Sequence, residues 1–141
     1  MSEQSERIQE IVKFKIKSLD ALKVYKAFCD FRTYVYLCVN KMPKWVKHSE
    51  GLICCKSVKN CVMCLSVISR SHSAEEKAEA ITSFFAEFDC IYDSLNFFAD
   101  PQVAALSNHQ LAHLARLMND IESQLQRLRR YLTDEGRNQN D

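Results

Sequence analysis

Two glycines and two prolines in 141 residues leave this chain few places to turn. Glycine and proline fix most tight turns, and a β-sandwich or barrel of this size would need many of them. Leu, Ala, Lys, Glu and Gln are abundant instead, and these are the residues that lose least on entering a helix. The chain is therefore confined to long helices joined by short links. Its length suits one domain with a sizeable core.

The run DALKVYKAFCDFRTYVYLCVNK, Asp20 to Lys41, is long, apolar and free of glycine and proline, and Pro43 closes it. Ser49 can open a second helix reaching Arg70. SHSAEE then offers a capping box, Ser73 with Glu76, for a third helix that runs to Phe98 and breaks at Pro101. On that helix Ile81, Phe84, Phe85, Phe88, Ile91, Tyr92 and Leu95 share a side. A second box, Ser107 with Gln110, opens a fourth helix. Its apolar positions Leu111, Leu114, Met118, Ile121, Leu125, Leu128 and Leu132 step by three and four, the seam of a bundle helix. The expected fold is all-α, an up-down-up-down four-helix bundle over residues 18–132. Residues 1–17 form an arm in which Val12, Phe14 and Ile16 alternate with Lys13, Lys15 and Lys17, compatible with a strand or an early helical turn. Residues 133–141 read as a polar, disordered tail.

Four of seven cysteines fall in LICCKSVKNCVMCLSVISR, residues 52–70. At about 100° per residue, Cys54, Val58, Cys61, Val62, Leu65 and Ile68 make one stripe, with Cys55 and Cys64 at its edges. Cysteine is small and commonly buried, so the stripe reads as the inside of a helix. A zinc site would need a second ligand pair and a turn between ligands, and Cys61 and Cys64 have neither. The polar start MSEQSERIQE does not resemble a secretory signal, no stretch approaches an uninterrupted membrane span, and the cysteine count is odd. These features point to a cytoplasmic protein with free thiols and no membrane association.

The outward arc of the second helix carries Lys56, Lys59, Met63, Val67 and Arg70, and the preceding MPKWVKH adds Lys44 and Lys47 beside Lys41. Residues 1–72 hold 13 Lys/Arg against 6 Asp/Glu, whereas residues 73–141 hold 6 against 12. The near-neutral total of +1 thus hides two oppositely charged halves. A clustered basic surface attracts phosphate backbones, and Tyr36 and Trp45 offer stacking planes. Taken singly, each lysine is equally a solvated residue. Lys41, Lys44, Lys47, Lys56, Lys59 and Arg70 are the candidate nucleic-acid-binding set.

Catalytic signatures are missing: there is no GxSxG, glycine-rich phosphate loop or HExxH. His109 and His113 have metal-like spacing but fall outside the fourth helix's seam, beside Arg116, as a solvated or subunit-facing pair. Glu75 and Glu76 complement the start of the third helix. The chain reads as non-enzymatic, without catalytic residues, bound metal or other cofactor. A metal or thiol sensor using Cys61, Cys64 or the His109/His113 pair is a weaker third class.

The order of VYKAFCDFRTYVYLCVNKMPKWVKH, a small and apolar second helix, AEEKAEAITSFFAEFDCIYDSLNF and LSNHQLAHLARLMNDIESQLQRLRR resembles a known family across residues 20–132. These are the accessory variability determinant proteins of diversity-generating retroelements, related to four-helix-bundle proteins encoded in ribosomal RNA intervening sequences. The resemblance implies a non-enzymatic partner of a reverse transcriptase, assembled as a pentameric barrel that contacts the polymerase and its RNA or DNA. The family's basic residues near the first link would match Lys41, Lys44 and Lys47. The acidic second half departs from the markedly basic balance of that family.

Oligomerisation has support in the sequence itself. Val24, Tyr25, Phe28, Phe31, Tyr34, Val35, Tyr36, Leu37 and Val39 cannot all face one bundle interior. Either the first helix is central to the monomer, or the surplus aromatics form a subunit interface, with the opposed charges of the two halves favouring a closed ring. The leading functional expectation is a ring-forming adaptor that holds a reverse transcriptase with its template RNA or cDNA during mutagenic synthesis. The alternative is a helical-bundle scaffold for protein partners without nucleic-acid binding.

Overall fold

The structure, a computed structural model, describes residues 19–139, with side chains over 23–134. The expected arm, 1–17, lies outside the described residues. Four helices pack as a bundle: α1 (Leu19–Asn40), α2 (Lys44–Arg70), α3 (Ala74–Ala99) and α4 (Asn108–Gln139). The fourth continues past Leu132, so the backbone of the expected disordered tail is helical as far as Gln139.

Paired side chains fix the sense of each neighbour. Between α2 and α3, Asn60 meets Glu87 and Glu50 meets Ser94, so the higher number on one helix goes with the lower on the other. Tyr92 donates to Glu122 at 2.8 Å, and the Arg129 guanidinium lies 4.8 Å from the Phe85 ring centroid, which sets α3 against α4 in the same way. The Tyr34 and His113 rings, 4.4 Å apart, join α1 to α4. Every helix thus has two antiparallel neighbours.

The core follows from the apolar spacing. Phe28 and Phe31 of α1 meet Phe84 and Phe88 of α3 edge to face, at 5.5 and 5.9 Å between centroids, a favoured arrangement for aromatic quadrupoles. Cys54, Val58, Cys61, Leu65 and Ile68 enter from α2; Leu114, Met118, Ile121, Leu125 and Leu132 enter from α4. Cys55 and Cys64 are half-buried at the edges of the α2 stripe, as the 100° count predicts, and Val62, expected within the stripe, is half-buried as well. Most of the apolar surplus on α1 is absorbed inside the monomer. Val24, Phe28, Phe31, Val35 and Val39 are buried, Tyr25 and Tyr34 are half-buried, and Tyr36 and Leu37 alone of that set are exposed.

The helix starts explain two differences from expectation. α2 begins at Lys44, directly after Pro43, and not at Ser49. Its first turns include a π-helical stretch, Lys47–Gly51, and Ser49 sits inside it with its hydroxyl bonded back to the Trp45 carbonyl at 2.6 Å. A serine that satisfies itself on the preceding turn is a helix-interior residue, not a cap. Gly51 is needed here. A Cβ at that position would stand 3.0 Å from Val39 Cγ1 and 3.1 Å from the Val46 carbonyl oxygen, so the bare Cα lets α2 close on α1.

The Ser107 box is reciprocal: Gln110 N–H donates to Ser107 Oγ at 3.1 Å, and Ser107 N–H to Gln110 Oε1 at 2.9 Å. The Ser73 box is relayed. Glu76 N–H donates to Ser73 Oγ at 3.3 Å, but the Glu76 carboxylate accepts from the Ser71 hydroxyl at 2.7 Å. Ser73 N–H in turn finds Ser71 Oγ at 3.2 Å. The α3–α4 link turns without glycine: Ala104 takes the left-handed backbone (φ 49°), and Asp100 Oδ1 accepts the Gln102 N–H at 2.8 Å.

Candidate nucleic-acid interface

Between Lys41 and Arg70 the sequence has a single acid, Glu50. That carboxylate is half-buried and turned inward, accepting the Ser94 hydroxyl at 2.9 Å. α2 and its approach therefore contribute cations and no outward carboxylate of their own, while Glu76 and Glu79 of α3 flank Arg70 beside Met63 and Val67. Lys41, Lys44, Lys56, Lys59 and Arg70 are exposed. Lys47 is half-buried and donates to Asn40 Oδ1 at 2.9 Å, which ties the start of α2 to the end of α1. Lys44 and Lys47 sit on the first turns of α2 rather than in a loop, so helix geometry fixes their spacing.

The six residues do not form one point. Lys41, Lys44 and Lys47 gather at the α1–α2 link. Lys56 and Lys59 lie about two turns further along α2, and Arg70 closes its last turn, its Nε 3.4 Å from the Ser66 carbonyl. Such a row suits an extended polyanion better than a small anion, because each cation meets a different phosphate. Trp45 (59% exposed) stands beside the first group with its ring edge-on to Phe97, 6.3 Å away. Leu52, Ile53, Met63 and Val67 are exposed on the same side of α2. By length and composition alone α2 is apolar enough to cross a membrane, a test that the core helix of a bundle also passes. Its apolar residues divide between the buried stripe and this outward row, so no uninterrupted run marks them.

Sequence reasoning passed over Arg32. It is half-buried on α1, on a stripe with Tyr25, Cys29 and Tyr36 whose Tyr36 end lies on the α2 side, near Cys54 and Cys55. Its Nη2 reaches Cys29 Sγ at 3.9 Å. Burial raises the Tyr36 phenol, the Cys55 thiol of α2 adds to the rise, and the Arg32 guanidinium pulls it back. The available signal was the i, i+4, i+7, i+11 spacing of these four residues, which the aromatic surplus of α1 obscured.

The remaining candidates separate. Burial pushes the Cys54 thiol up to about 12 and the Cys61 thiol higher still, so neither supplies thiolate near neutral pH. Cys61 Sγ rests 3.9 Å from the Phe84 carbonyl, a packing contact. His113 is half-buried against Tyr34, with Arg116 Nη2 3.4 Å from its Nδ1, while His109 is exposed. Among the described residues, no three His, Cys, Asp or Glu side chains are grouped to hold a metal ion. Compared with known proteins, the chain matches no family model, and no curated protein or solved structure matches it either.

Proposed function

We propose that this bundle is a non-enzymatic adaptor that binds a reverse transcriptase and its template RNA or cDNA, as the resemblance to accessory variability determinant proteins implies. The observation that carries the reading is the row of exposed cations on α2 and at its start, with Trp45 beside it. In this reading the protein works by positioning. Lysines neutralise phosphates, released counterions drive association, and no bond is made or broken. The up-down-up-down bundle assembles into a ring, a pentamer by the same resemblance. Most of the α1 aromatics are committed to the monomer core, so the contact between copies draws on exposed apolar residues away from the cation row, such as Leu37 and Tyr131.

The test is fluorescence anisotropy of a labelled structured RNA titrated with protein at several salt concentrations. A combined Lys44→Ala, Lys56→Ala, Lys59→Ala, Arg70→Ala variant is expected to fold, to bind far more weakly, and to lower the salt slope by about 3. Lys47 is left in place because it joins two helices. Absence of wild-type binding at low salt would sink the nucleic-acid half of the proposal. It would favour the second reading, a scaffold for protein partners, which rests on the outward apolar row Leu52, Ile53, Met63 and Val67.

A further inference from the structure

Arg32 is half-buried, and the polar neighbours of its guanidinium among the described residues are the Cys29 sulfur, at 3.9 Å, and the Tyr25 phenol, neither of them a carboxylate. Arginine presents a rigid fork of N–H donors that suits carboxylate or phosphate, and buried examples are ordinarily paired. Here the fork faces tyrosines. Tyr36 lies one turn to one side of it and Tyr25 two turns to the other, on the same stripe.

The register across the groove supplies a second cation. Lys47 meets Asn40 and position 51 abuts Val39, a register that sets Tyr36 level with Cys55, within electrostatic reach of it. One turn further from the link on each helix, the same pairing brings Arg32 level with Lys59. By the 100° count Lys59 stands on the outward arc beside Arg70, about 40° from Cys55 and on the side of that arc that leans towards α1. Tyr36, 38% exposed, offers a ring face to solvent one turn from this pair.

Resting on the nucleic-acid reading above, we infer that the α1–α2 groove is a single-strand subsite, in which Arg32 and Lys59 grip one phosphodiester and Tyr36 stacks the adjoining base. The groove extends the α2 row onto α1 and makes the surface selective. A duplex keeps its bases stacked on one another and can use the lysines but not the tyrosine, whereas an unpaired base is free to stack.

The experiment compares a labelled mixed-sequence single-stranded RNA with its fully paired duplex, by anisotropy across a salt series. The proteins are the wild type, Tyr36→Ala, Tyr36→Phe, Arg32→Ala, and a Lys44→Ala/Arg70→Ala control remote from the groove. The expected results are tighter binding of the single strand, an approximately tenfold loss for Tyr36→Ala on the single strand only, and retention in Tyr36→Phe. Arg32→Ala should lower the single-strand salt slope by about 0.7. Circular dichroism and the melting midpoint check that each variant is folded, and Tyr36→Phe still reads the ring if Tyr36→Ala is not. Groove variants that bind like wild type while the remote control weakens would overturn the groove and leave the broader reading standing. Equal losses of single strand and duplex in Tyr36→Ala would overturn the stacking role. No wild-type binding to either probe would remove the broader reading and the groove with it.

Discussion

Replacing Gly51 by alanine sets two effects of opposite sign against each other. In a helix interior alanine is favoured over glycine by about 1 kcal/mol, so propensity alone predicts a more stable protein. The added methyl, however, would stand 3.0 Å from Val39 Cγ1 and 3.1 Å from the Val46 carbonyl oxygen. Val39 is β-branched, buried and stiff at χ1, and the Val46 carbonyl belongs to the backbone entering the π-helical stretch. Relief therefore needs α2 to move from α1 by a few tenths of an ångström at Val39 and the turn from Val46 to Gly51 to open by as much, and overpacking of this kind costs about 1–3 kcal/mol. The net expectation is a loss of about 1 kcal/mol, a fall of about 3 °C in melting midpoint for a chain of this size. Urea unfolding and calorimetry at matched protein concentration would read it, concentration being held because any self-association shifts the midpoint. A Gly51→Ala protein more stable than wild type would refute the reasoning: it would mean that the two helices separate freely and that the close approach has no energetic weight.

Ser94→Ala removes the hydroxyl that the inward Glu50 carboxylate accepts, and should cost about 1–3 kcal/mol by urea unfolding; an unchanged midpoint would show that Glu50 turns to water without loss. Thiol labelling of the native protein should modify the exposed Cys90 first and leave Cys54 and Cys61 untouched until denaturant is added, and rapid modification of Cys61 would contradict the packing described. Alkaline stability follows from Cys54 and Tyr92, whose burial pushes each up to about 12 from 9.0 and 10.0. Both are neutral acids with raised folded values, so their contribution is complete below pH about 9 and is lost as pH rises from there to about 12. A stability that rises through that window would reverse the sign. Tyr92→Phe, which cannot ionise, should shallow the decline.

The helices were legible because their signals are local. The three-and-four spacing of the α4 seam, the Ser107–Gln110 pair and the cysteine stripe each depend on residues within a turn or two. The α2 start was misplaced because Ser49 resembles a cap in sequence, and only the carbonyl of Trp45 above it reveals an interior serine. In the same way SHSAEE shows Glu76 three residues after Ser73 but not that Ser71 intercepts its carboxylate. The cation row was readable as a cluster, since one acid in thirty residues is visible without coordinates. Its inner member was not. Arg32 matters through what lies across the groove, and the distance between two helices is written in no single segment.

The four neighbour contacts also set an order of assembly. The α2–α3 link is only Ser71–Ser73, so those helices close on one another with little loss of chain freedom. Tyr34 and His113, in contrast, are brought together across most of the sequence. Contacts of long separation are rewarded last, which makes the α1–α4 seam the final one to form and the first to open. Substitutions at Phe84 should then slow folding, and those at Tyr34 should chiefly speed unfolding, in stopped-flow measurements. If they do, the α1–α2 groove belongs to the part of the molecule that loosens earliest, and a strand lying in it would hold the bundle shut.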